Sequence, residues 1–181
     1  LVALIIGIPT GIISAKKQYS AVDNVSMVLS LIGVSMPNFW FGLLVVIVFA
    51  LNLGWLPSQG MGEGGVELLK SLVLPALTLG TGCAATITRM TRSSMLEVIH
   101  QDYIDTAKAK GVSERTITFR HMLKNALIPI VTAVGLQFGT LLGGAMLTET
   151  VFSWPGLGRL MVDSIKSKDI PMVLGSVIFM A

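Results

Sequence analysis

The residues able to do chemistry are few. The chain has two histidines and one cysteine. His100 and His121 stand too far apart for a His-x-x-x-His zinc pair, and no cysteine cluster exists. Cys83 lies in an apolar run, excludes an internal disulfide and is read as a small packing residue. Residues 65–71 end in Lys70-Ser71, but Leu69 stands where a phosphate-binding loop needs its second glycine, so phosphates have no backbone cradle. No Gly-x-Ser-x-Gly nucleophile elbow occurs. The histidines are read as solvated or interfacial side chains. No clear ionisable residue sits at the centre of an apolar run, where proton- and sodium-coupled carriers keep such groups. The expectation is a chain with no catalytic residues, no metal site and no cofactor of its own, driven by energy from elsewhere.

Composition sets the class. Apolar residues make up 52% and charged residues 13%, and the mean hydropathy is +0.77. Soluble domains carry roughly a quarter charged residues, so an all-α integral membrane protein is expected. The net charge of +3 points to topology before nucleic acid. Residues 1–15 and 170–181 are shorter than the roughly 20 residues of a full crossing and are read as partial spans of a longer protein. Whole spans are expected over 25–53, 68–95 and 126–147. Pro37 should break or kink the first of these, because proline removes a backbone donor and clashes with the preceding turn. Pro75 and Pro129 either shape a cavity or are simply tolerated, as membrane helices allow. Asp23 or Asn24 is a candidate cap for the helix that follows. Trp40 and Trp55 suit the headgroup level.

Between two spans lies a polar island, residues 90–124, with the loop proper at 96–124. Charges there would cost several kcal/mol each in hydrocarbon, so a helix in this stretch belongs in water against the membrane face. Its centre, Asp102-Tyr103-Ile104-Asp105-Thr106-Ala107-Lys108-Ala109-Lys110-Gly111, favours helix and is closed by a glycine suited to a left-handed C-cap. Ser113 can cap the next helix. If spans alternate, the island shares a side with Lys16-Lys17 and Arg89, and that side collects nine of the thirteen basic residues. The positive-inside bias then makes residues 96–124 cytoplasmic. The opposite side receives the Gly- and Pro-rich 54–65 segment and an outer loop at 149–168. Arg159, Asp163 and Asp169 are expected on its solvated face.

At this point the chain resembles a family. The island is similar to the "EAA" loop of ATP-binding-cassette (ABC) importer permeases, a Glu-Ala-Ala triplet followed by a glycine and later by Ile-x-Leu-Pro. Asp105-Thr106-Ala107 stands at the triplet, Gly111 at the glycine and Leu123 at the leucine. Thr106 replaces an alanine, and Lys124 stands where the proline is expected. The run Arg120-His121-x-Leu123-Lys124-Asn125-Ala126-Leu127-Ile128-Pro129, with its proline further downstream, resembles the dipeptide/oligopeptide/nickel branch. So do Ser35-Met36-Pro37-Asn38-Phe39-Trp40, Gly54-Trp55-Leu56-Pro57-Ser58-Gln59-Gly60 and Glu149-Thr150-Val151-Phe152-Ser153-Trp154-Pro155-Gly156-Leu157-Gly158. The four segments fall in the family's order and cover nearly the whole chain.

The resemblance implies a MetI-like permease helical bundle in a bacterial or archaeal inner membrane, here lacking its N-terminal and C-terminal parts. It implies a coupling helix at 102–110 that docks on cytoplasmic ABC ATPase subunits, with ATP and Mg bound on those partner chains. Asp102, Tyr103, Asp105, Thr106, Ala107, Ala109, Lys110 and Gly111 are then the coupling residues, Ala107 and Ala109 small enough to settle in a groove and Tyr103 an aromatic anchor. Asn125 and Pro129 mark the loop-to-span junction. Glu149, Trp154, Pro155, Gly156 and Gly158 belong to the outer loop near the pore, which contacts a binding protein, closes the pathway or is a plain tight turn. Further implied partners are a second permease subunit, an extracytoplasmic substrate-binding protein and membrane lipid. The cargo would be di- or oligopeptides, with nickel or another small solute as the alternative. A self-sufficient carrier would need intramembrane charges or inverted repeats, and an intramembrane enzyme a nucleophile or metal set; neither is visible.

Overall fold

The computed structural model describes residues 1–180, without the side chains of 142–144. Helices are α1 (Val2–Lys16), α2 (Ala21–Ser35), α3 (Asn38–Val45), α4 (Gly65–Ile99), α5 (Asp102–Ala109), α6 (Glu114–Thr116), α7 (Leu123–Gly144), α8 (Met146–Val151), α9 (Leu157–Lys166) and α10 (Ile170–Met180). Val46–Asn52 continues α3, and Ile117–Met122 joins α6 to α7, both as wider π-helical turns. Gly65–Ile99 and Glu114–Leu141 are long and apolar enough to cross a membrane, and Ala21–Ser35 with Asn38–Asn52 would make a third as one broken span. Packing divides the chain into two compact units. Leu1–Ser35 and Cys83–Gln137 form one, and Met36–Gly82 with the residues from Phe138 onward forms the other.

Pro37 separates α2 from α3 as its chemistry requires. It caps α3 with φ −60° and ψ 130°, an extended backbone. Pro75 and Pro129 do not interrupt their helices, and α4 and α7 run through both. The α2 cap differs from expectation. The Ser20 hydroxyl accepts from the Asp23 amide at 3.3 Å, so Ser20 is the cap. Asp23 already lies in the first turn of α2, where its carboxylate is engaged elsewhere.

In the first unit, α1 lies very close to α4. A Cβ on Gly11 would sit 2.5 Å from Thr91 Cβ and 2.7 Å from the Thr88 carbonyl. Without a glycine at position 11 the two backbones could not approach so closely, and close approach is what holds helices together in lipid. The core of this unit joins Ile12 and Ala15 of α1, Met95 of α4, Ile104 and Ala107 of α5, and Ala126 and Ile130 of α7. In the second unit Val45, Leu74 and Phe152 form the buried centre. The stretch 149–168, expected as a loop, is instead mostly helical: Glu149 lies in α8, and Gly158 and Arg159 lie in α9.

Candidate functional site

The short helix α5 is built from the island's own residues. Gln101 enters in an extended conformation, and Asp102 and Asp105 occupy the first turn, where the positive end of the helix dipole favours carboxylates. Ile104 and Ala107 are one turn apart and therefore share a face. Both are buried, Ile104 completely, in the core that also holds the ends of α1, α4 and α7. Asp102, Tyr103, Asp105, Thr106, Ala109 and Lys110 are exposed. Ala107 thus faces the chain's own core, and the outward surface falls to its neighbours. Lys108 Nζ reaches Asp105 at 3.1 Å, an exposed pair that contributes little.

The helix ends by a Schellman cap. Gly111 has φ 72°, in the left-handed region that costs other residues about 1–2 kcal/mol. Its amide donates to the Lys108 carbonyl at 2.9 Å, and the Val112 amide to the Ala107 carbonyl at 3.2 Å, satisfying carbonyls that would otherwise be orphaned. Lys110 is the terminal cap residue outside the helix proper. The Ser113 side chain then accepts from the Thr116 amide at 3.4 Å and starts α6.

Asn125 ties this helix to α7. Its side-chain amide donates to the Tyr103 hydroxyl and to the His121 carbonyl, each at 2.8 Å. Pro129 lies one turn further along α7, partly buried. His100 is exposed and His121 partly buried. In the same unit Cys83 is half-buried, its Sγ 3.9 Å from Gln137 Oε1.

A buried ion pair braces the unit, and sequence reasoning missed it. Arg92 Nε and Nη2 donate to the two Asp23 carboxylate oxygens at 2.6 Å and 2.7 Å. The Ser14 hydroxyl and the Tyr19 amide also donate to that carboxylate. Asp23 is 1% exposed. All the expected acceptor capacity is used, as a buried charge demands. A signal was present: an aspartate opening an apolar run needs a cationic partner, and α4 carries arginines at 89 and 92.

The outer-loop residues come together in the second unit as a clasp. Gly156 caps α9 without a side chain to offer, and Glu149 supplies what is missing. Its Oε2 accepts from the Arg159 amide at 3.0 Å, a carboxylate at a helix N-terminus. A Cβ on Gly156 would overlap that carboxylate, and one on Gly158 would lie 2.5 Å from Met146 Cα. The turn between the helices is held by Trp154, whose amide donates to the Glu149 carbonyl at 2.8 Å, while Phe152 offers its carbonyl to Gly60 at the same distance. Pro155 is exposed and Trp154 partly so. On α9, Arg159 and Asp163 form a 3.6 Å pair.

Long apolar helices, with a charged helix seated on their ends, define a multi-pass membrane protein. The chain belongs to the family described as "Binding-protein-dependent transport system inner membrane component", whose profile matches residues 7–181. It is 44% identical over 186 residues to the oligopeptide transport system permease protein AppB of Bacillus subtilis, covering 100% of this chain and 59% of that protein. It is 46% identical over 202 residues to the dipeptide transport system permease protein DppB of Alkalihalophilus pseudofirmus, covering 99% of this chain and 61% of that protein. Against the glutathione transport system permease protein GsiC of Escherichia coli K12 the identity is 45% over 176 residues, covering 97% and 56%. The chain therefore spans roughly three-fifths of these relatives.

Proposed function

We propose that this chain forms part of one half of the translocation pathway of an ATP-driven peptide importer, and that α5 is the handle by which cytoplasmic ATPase subunits move it. The observation that carries this reading is the division of α5 into two faces. Ile104 and Ala107 are fixed in the same core as α1, α4 and α7, while Asp102, Tyr103, Asp105, Thr106 and Ala109 face outward. A push on the outward face is delivered to three apolar helices at once, and close-packed interiors transmit such displacement without absorbing it. ATP and Mg belong to the partner ATPases; a second permease subunit completes the pathway, and a binding protein delivers cargo from outside. The peptide cargo is supported by the relatives named for oligopeptides, dipeptides and glutathione.

The test places bulk on the outward face. Ala109→Arg and Thr106→Arg in the full-length permease should abolish co-purification of ATPase subunits and cut peptide uptake at least about tenfold, the result of losing roughly 1.4 kcal/mol of docking energy. Membrane insertion should be unchanged. Normal uptake and normal co-purification in both variants would overturn the reading.

A further inference from the structure

Within the first unit, α2 and α4 border a groove of about 580 Å3, a size in the range of sites that hold small organic ligands. Met27 and Val34 of α2 form an apolar wall, and Thr86, Arg89 and Ser93 of α4 form a polar one. The three polar residues are spaced three and four apart, so they lie along one helix face. Two arginines border the groove, but they are not equivalent. Arg92 is committed to Asp23 through two short hydrogen bonds. Arg89 is exposed, and among the described residues it makes no ion pair. Asp23, the one acidic residue of α2, is saturated by Arg92, Ser14 and Tyr19.

We propose that Arg89, flanked by Thr86 and Ser93, is a binding subsite for the free α-carboxylate of a peptide, with Met27 and Val34 receiving the last side chain. The inference rests on the peptide-import reading and adds to it the chemical group recognised. A guanidinium presents parallel donors that match a carboxylate in bidentate fashion. Oligopeptides, dipeptides and glutathione, the cargoes in the relatives' names, each end in a free carboxylate that a guanidinium can hold. A cation beside an apolar wall, with its neighbouring cation already neutralised, selects an amphipathic anion over a neutral solute. The Asp23 carboxylate is taken up by Arg92, Ser14 and Tyr19.

The test uses the complete importer complex in nanodiscs of neutral lipid, without binding protein, and a fluorescent tripeptide with either a free or an amidated C-terminus. For the parent complex the free acid should bind at least about tenfold more tightly, as expected for a charge-assisted hydrogen-bonded pair. In Arg89→Gln that preference should vanish through weaker binding of the acid alone; in Arg89→Lys most of it should remain. Equal weakening of acid and amide in Arg89→Gln, or no weakening of either, would overturn the proposal. So would equal binding of acid and amide to the parent complex in neutral lipid. Absence of binding by either peptide to the parent complex, together with absence of peptide uptake by cells, would instead refute the peptide-import reading itself.

Discussion

Asp23→Ala is the perturbation that bears most directly on how the first unit holds together. The carboxylate it removes accepts from Arg92 at 2.6 Å and 2.7 Å, from the Tyr19 amide at 2.9 Å and from the Ser14 hydroxyl. Its side chain is 2% exposed and that of Arg92 21% exposed. Breaking a buried pair from one side costs about 3–5 kcal/mol, because a desolvated charge is left without its partner. The partial exposure of Arg92 lets water recover some of this, so the loss should fall at the lower end, about 3 kcal/mol. At roughly 2–4 °C per kcal/mol for a chain of this size, the unfolding midpoint should drop by about 6–12 °C. The assay is thermal unfolding of the full-length permease in nanodiscs, followed by tryptophan fluorescence, for Asp23→Ala, Arg92→Ala and the double variant. The double variant leaves no orphaned charge, so it should be markedly more stable than the sum of the two losses implies. A midpoint within about 2 °C of the parent for Asp23→Ala, or strictly additive losses, would refute the reasoning.

Two further outcomes follow from particular contacts. Gly156→Ala places a methyl group on the Glu149 carboxylate and should cost about 1–3 kcal/mol as an overpacking change, seen as faster proteolysis between α8 and α9; unchanged cleavage would show that the clasp yields freely. Asn125→Ala removes the donor to Tyr103 and should speed hydrogen exchange across 102–110 while leaving α4 unaffected; identical exchange across 102–110 in variant and parent would refute the tie.

Local chemistry was the legible part of this chain. Pro37 breaks a helix because it lacks an amide donor, Gly111 accepts a left-handed backbone, and Ser113 has a hydroxyl within reach of a free amide; each effect is complete within a few residues. The orientation of α5 was legible only in part. Ile104 is the one large aliphatic residue in an eight-residue helix, and it marks the inward face, with Ala107 one turn on. Reading Ala107 as small for the sake of a partner's groove overlooked that its own core also needs a small residue there. What could not be read was long-range. Arg92 meets Asp23 across 69 residues, and Glu149 becomes the cap of α9 only once the turn through Trp154 has brought it back.

These long-range contacts also bear on the proposed role of α5. Arg92 and Asp23 fasten the α1–α2 elbow to α4. Ile104 and Ala107 fasten α5 to α1, α4 and α7, and Asn125 adds a polar tie from α7 to α5. Each fastening joins elements distant in sequence; the first rests on the buried Asp23 carboxylate and the second on the buried Ile104 and Ala107, while the third is a single exposed hydrogen bond. Under that proposal, a push on α5 would reach α1, α4 and α7 through the core they share, as a near-rigid displacement requires.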